Sequence, residues 1–111
     1  YYAIAFFVIV SLFFALLYYM ILPLFTGNPP LSYATGEVSG EEVVNFVDCL
    51  YFSATTQATV GYGDIIPTSV SGKTCSTIQG VFGYLYLAFL VAIFTAKAVL
   101  KSKQFRALCR K

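Results

Sequence analysis

Residues 1–25 hold no charged side chain at all, and residues 74–96 repeat the condition. At 1.5 Å per residue, about 20 helical residues cross the roughly 30 Å hydrocarbon core of a bilayer. Each run is therefore long enough to span, and the pair leaves few other folds open. A secretory signal peptide fits the first run poorly: no basic segment precedes it, and it is too long. Only 11% of the 111 residues are charged, against about 25% in a soluble domain. So little charge cannot cover a water-facing surface. The length leaves room for one structural unit, and the chain starts at Tyr1 without Met, so it reads as a fragment or a trimmed chain.

The few charges are segregated. All five acids (Glu37, Glu41, Glu42, Asp48, Asp64) lie between the runs, whereas Lys97, Lys101, Lys103, Arg106, Arg110 and Lys111 follow the second; Lys73 is the exception. By the positive-inside rule the basic tail is cytoplasmic. Two spans then put both termini in the cytoplasm and residues 27–73 outside. The pattern is that of a multi-pass cell-membrane protein, with no nucleic-acid patch. Tyr1, Tyr2, Tyr18 and Tyr19 sit where interfacial aromatic belts form. Cys49, Cys75 and Cys109 are odd in number, lack metal-ligand spacing and read as small buried residues.

The segment between the spans is no ordinary loop. Thr26-Gly27-Asn28-Pro29-Pro30 breaks the first helix. Ser39 with Glu42, and Asn45 with Asp48, both have the spacing of a capping box, and either starts a helix. The apolar stretch 46–58 is too short to span but fits a half-membrane, re-entrant helix. Two glycines spaced by one residue follow it. Irregular backbone at that depth is tolerated only where protein buries it or where it lines a water-filled path, so the arrangement already implies a pore.

Thr59-Val60-Gly61-Tyr62-Gly63-Asp64 resembles the signature of potassium channels. A dehydrated cation in hydrocarbon costs tens of kcal/mol, and rings of backbone carbonyls offset that cost by replacing its hydration shell. Such stacking needs backbone that alternates with left-handed conformations, which Gly61 and Gly63 allow without a Cβ penalty. The resemblance makes Thr59, Val60, Gly61, Tyr62 and Gly63 the K⁺-binding filter, with carbonyls of Thr59 to Tyr62 as ligands. The side chains of Val60 and Tyr62 then face away into a packing cuff, and no cofactor other than bound K⁺ is implied.

The likeness to the bacterial two-transmembrane type covers about residues 46–100. It implies an all-α membrane protein: two transmembrane helices flanking a re-entrant pore helix and filter loop, assembled as a four-fold homotetramer. Its parts are an outer helix at about 2–25, a turret at about 26–44, a pore helix at about 46–58, the filter at 59–64, an inner helix at about 72–100 and a basic cytoplasmic tail at 101–111. Tyr51 and Phe52 match an aromatic pair packed against the filter tyrosine, and Thr55 with Asp64 supports the filter. Pro67 and Gly72-Lys73 match further family positions. Gly83 falls on the family's gating hinge, although a helix-packing glycine explains it equally. The resemblance also makes Leu87, Val91, Thr95 and Val99, whose spacing of four keeps them on one side of the helix, the cavity lining and inner gate; a lipid-facing or packing stripe is the rival for each.

Two departures stand out. Ala58 replaces a threonine common before the filter, and Thr55 stands where one bacterial type pairs a glutamate with the filter aspartate. No acid occurs between residues 74 and 100, which implies weak or no rectification by polyamines or Mg²⁺. There is no Arg-rich voltage-sensing helix. The basic tail either continues the inner helix or touches anionic lipid, and anchoring alone accounts for it. One chain supplies one carbonyl per ring, so a closed ring of subunits is required; the number four comes from the resemblance. The alternatives are a pore module cut from a larger sensor-gated channel, whose cytoplasmic or sensor domain lies outside this chain, or a potassium transporter subunit. An accessory membrane protein has no use for this motif. An enzyme finds no His, paired acids or nucleophile elbow here.

Overall fold

The computed structural model describes residues 2–34 and 44–110. Four α-helices and two short strands follow one another as α1 (Tyr2–Leu16), a π-helical turn (Leu17–Ile21), α2 (Leu22–Thr26), β1 (Leu31–Tyr33), α3 (Phe46–Gln57), β2 (Ile65–Pro67) and α4 (Val70–Cys109). Two helical stretches, Tyr2–Phe25 and Val70–Cys109, are long and apolar enough to cross a membrane.

The first stretch carries Pro23 in its interior, which would ordinarily cost a helix about 3 kcal/mol. The π turn absorbs it. The Leu22 N–H reaches back to the Leu17 carbonyl, one residue further than in an α-helix, so the ladder is re-spaced just before the residue that cannot donate. The stretch ends at Thr26, ahead of the Pro29-Pro30 pair. Gly27 takes the left-handed conformation (φ 66°) and its N–H caps the Pro23 carbonyl at 2.9 Å.

Helix α3 lies as a wedge between the outer stretch and α4. Ala15, Tyr18, Leu22, Leu31, Cys49, Phe52 and Ile65 form the buried core around it. Tyr18 is thus a core residue, its ring edge-on to Phe52 at 5.4 Å, where an interfacial belt position was expected; Tyr19 stays 46% exposed. Deeper along α1, Phe6 and Phe7 pack against Tyr86 of α4, whose hydroxyl donates to the Ala3 carbonyl.

The layers are helical, as expected, with one addition. β1 and β2 pair antiparallel in the register Leu31↔Pro67, Ser32↔Ile66, Tyr33↔Ile65. The Ala34 N–H prolongs the ladder to the Asp64 carbonyl at 2.8 Å. Three-residue strands carry no periodicity from which to foresee them. Helix α4 starts at Val70, capped by the Ser69 hydroxyl accepting from the Gly72 N–H at 2.9 Å. It runs through Cys109, past the expected end near residue 100, so the basic tail continues the inner helix. At 1.5 Å per residue its 40 residues measure about 60 Å, roughly twice the hydrocarbon thickness.

Candidate functional site

The site begins at the N-terminus of α3. Asn45 and Asp48 form the capping box: the Asp48 N–H donates to the Asn45 side chain, and the Asn45 N–H donates to Asp48 Oδ2 at 3.0 Å. The alternative box at Ser39 and Glu42 lies outside the described residues. Asp48 Oδ2 also accepts from the Tyr33 hydroxyl at 2.9 Å, which ties β1 to the start of the helix. Burial, and secondly the Asp48 carboxylate, push the neighbouring Cys49 thiol up to about 11.

At its other end α3 hands the chain directly to the 59–64 segment. The Thr59 N–H donates to the Thr56 carbonyl at 3.0 Å. The N–H groups of Val60 and Gly61 both reach the Thr55 carbonyl, at 2.9 and 3.3 Å. Left-handed backbone recurs at every second residue: Thr59 (φ 59°), Gly61 (φ 52°) and Gly63 (φ 78°). Two of these are the expected glycines. Thr59 is the surprise, because a β-branched residue with positive φ is a genuine outlier, costing on the order of 1–3 kcal/mol and persisting only where surroundings enforce it. The alternation uses the amides to hold the segment onto α3. Among the described residues, the carbonyls of Thr59, Val60, Gly61 and Tyr62 accept no hydrogen bond, so their lone pairs are free.

Val60 and Tyr62 are 52% and 70% exposed in a single chain. Tyr51 of α3 stacks on Tyr62 with ring centroids 6.2 Å apart and planes 8° from parallel. Desolvation first, then hydrogen bonding to and charge on Asp64, hold the Tyr51 phenol above its ordinary range. Phe52 does not join this stack within one chain; it packs against Tyr18. Adjacent helix positions diverge by about 100°, so within one chain the two rings take different neighbours. The Thr55 hydroxyl bonds back to the carbonyls of Tyr51 and Phe52 at 3.0 and 3.1 Å. Its backbone carbonyl, rather than its side chain, meets the 59–64 segment.

Gly83 of α4 is buried against the end of α3. A Cβ there would stand 2.0 Å from the Gln57 carbonyl oxygen. Leu87, Val91, Thr95 and Val99 continue down α4 and are all exposed in one chain; Thr95 bonds its hydroxyl to the Val91 carbonyl at 2.8 Å.

Sequence reasoning missed a buried polar cluster behind α3. Ser11, Tyr18, Ser53, Gln57 and Gln79 come from both long stretches and from α3, and all are buried. Among the described residues no buried side-chain N or O atom lacks a partner. The available signal was chemical: an amide inside a membrane segment is costly unless bonded, so Gln79 in an uncharged run marks a partner. Such bonds between membrane helices average about 0.6 kcal/mol each where measured.

A family model described as "Ion channel" matches residues 4–99. Similar curated proteins include a potassium channel protein of Paramecium bursaria Chlorella virus 1, 31% identical over 60% of this chain and 69% of the viral protein. Two-pore potassium channel 4 of Arabidopsis thaliana is 38% identical over 54% of this chain and 21% of its own length. An inward rectifier potassium channel, Kirbac3.1 of Paramagnetospirillum magnetotacticum, is 36% identical over 48% of this chain and 18% of its own length. The chain thus spans about a fifth of the plant and bacterial relatives and over two thirds of the viral one. No solved structure matches.

Proposed function

This membrane chain belongs to the ion channel family, and from that premise we propose that it forms a potassium-selective pore, conducting K⁺ passively down its electrochemical gradient without enzymatic chemistry. One observation carries the reading: positive φ at residues 59, 61 and 63 with the amides of residues 59–61 tied to α3. That geometry frees consecutive carbonyls from intrachain bonding, which is what ligands to a dehydrated cation require. The negative end of the α3 dipole adds to the attraction. K⁺ is the cargo; in this reading it is bound by carbonyls of Thr59, Val60, Gly61 and Tyr62, with Gly63 completing the turn and Asp64 and Tyr51 bracing it.

A closed homo-oligomeric ring is the assembly this site calls for, and the likeness to potassium channels supports four subunits. One chain offers one carbonyl per level and leaves Val60 and Tyr62 largely uncovered. A closed ring of copies supplies the missing ligands and covers those rings. The basic end of α4 supports an orientation with both termini in the cytoplasm. In this reading Leu87, Val91, Thr95 and Val99 line the cavity and gate, and Gly83 packs against α3 and can serve as the hinge.

The test is the reversal potential of the purified protein in planar bilayers, with K⁺ on one side and Na⁺ on the other. Reversal near the K⁺ equilibrium value is expected. Gly61→Ala or Gly63→Ala should abolish it, since a left-handed non-glycine residue costs about 1–2 kcal/mol in each subunit. Robust current reversing near zero in the unmodified protein would refute the proposal.

A further inference from the structure

Five polar side chains form a hydrogen-bonded chain that runs from Gln57 through Ser11, Ser53 and Gln79 to Tyr18 and ties three helices together. The Ser11 hydroxyl of α1 donates to Gln57 Oε1 of α3 at 2.9 Å, and Gln57 Nε2 donates to the Phe7 carbonyl at 3.3 Å. The Ser53 hydroxyl of α3 donates to the Ser11 carbonyl at 2.8 Å. Gln79 Nε2 of α4 donates to the Ser53 carbonyl at 3.0 Å and the Ser53 hydroxyl at 2.7 Å. The Tyr18 hydroxyl in the outer stretch donates to Gln79 Oε1 at 3.0 Å and ends the chain on the outer stretch. Gln79 and Ser53 have 0% exposed surface.

Leucines would fill this space more cheaply in a membrane, because they leave no amide to desolvate. What leucines lack is direction. Directional bonds that link all three helices resist rotation and sliding of one against another, and a fully satisfied polar network specifies one arrangement. Its location gives that stiffness a purpose. Gln57 is the last residue of α3, two positions before Thr59. Four residues beyond Gln79, on the same face of α4, Gly83 lets the Gln57 backbone approach so closely that no Cβ fits. The end of α3 is therefore fixed to the outer helix by an amide and to α4 by close backbone contact.

We propose that Gln57 and Gln79 are positioning residues for the filter: the network sets the height and rotation of the α3 C-terminus between the spanning helices, and thereby the placement of Thr59 and Val60. Those two residues hang from the α3 carbonyls of Thr56 and Thr55, so any shift of the helix end is transmitted to the first filter levels. The proposal rests on the potassium-pore reading above.

The experiment compares the sodium-to-potassium permeability ratio with the heat stability of the purified tetramer for Gln57→Leu, Gln79→Leu and Tyr18→Phe. Tyr18→Phe removes one bond but keeps its ring on Phe52 and leaves every bond to α3 in place. Gln57→Leu and Gln79→Leu should raise the ratio about tenfold, the scale set by orphaning one buried partner. Tyr18→Phe should lower heat stability and leave the ratio unchanged. Should the leucine variants not assemble, Ser11→Ala removes a single bond to Gln57 and should raise the ratio severalfold. A wild-type ratio in Gln57→Leu, Gln79→Leu or the Ser11→Ala substitute, with stability alone reduced, would overturn the proposal. An unselective wild-type channel would instead sink the functional reading itself, and the wild-type record alone tells the two failures apart.

Discussion

Gly83→Ala is the substitution for which the structure gives the sharpest expectation. A Cβ at this position would lie 2.0 Å from the Gln57 oxygen, 2.8 Å from its carbonyl carbon and 2.9 Å from its Cα. Real Cβ contacts stay beyond 3.0 Å, so the gap must open by at least 3.0 − 2.0 = 1.0 Å. All three obstacles are backbone, so no side chain can swing aside, and α3 itself must move. Overpacking of this kind costs about 1–3 kcal/mol. The helix propensity of alanine over glycine returns about 1 kcal/mol. The net is a loss of up to about 2 kcal/mol per subunit. Gly80 supplies the control, because among the described residues nothing outside its own turn of α4 lies within 4 Å of its Cβ position. Gly80→Ala should keep only the propensity gain and hold or raise stability. The assay is thermal dissociation of the proposed homotetramer on a denaturing gel, alongside the permeability ratio. Gly83→Ala should dissociate at lower temperature and lose selectivity. If it is as stable and selective as wild type and alters only open probability, the close-contact account is wrong and Gly83 acts as a hinge alone.

Two further expectations follow from the site. Asp48→Ala removes the return bond from the Asn45 N–H and the Tyr33 bond while the Asn45 cap stays; a lost hydrogen bond costs about 1 kcal/mol, and the heat stability of the assembled protein should fall accordingly, whereas an unchanged transition would mean that the Asp48 carboxylate carries no weight. At pH 8 a maleimide should label exposed Cys109 readily and buried Cys49 hardly at all, since few thiols raised to about 11 are ionised there; equal labelling read by mass spectrometry would contradict the packing around α3.

What could be read ahead of the structure was whatever depends on local chemistry. Two uncharged runs imply spans because hydrocarbon forces backbone bonds inward. Asn45 with Asp48 marks the start of α3 because a capping box needs only three-residue spacing. What stayed hidden depends on partners distant in sequence. Tyr18 looks like a belt residue until Gln79 and Phe52 are seen beside it. Pro23 looks like a helix breaker until the Leu17–Ile21 turn re-spaces the ladder. The pairing of β1 with β2 links segments too short to carry a signal. Thr59 is the deepest case. Its residue type argues against positive φ, and nothing within a few positions hints otherwise. The bonds of the next two amides to the Thr55 carbonyl require it to turn. Strain at Thr59 is then a consequence of holding amides on α3 while leaving carbonyls unbonded. The same demand explains why the end of α3 is fixed so firmly: a segment that makes few bonds of its own takes its shape from the helix that carries it.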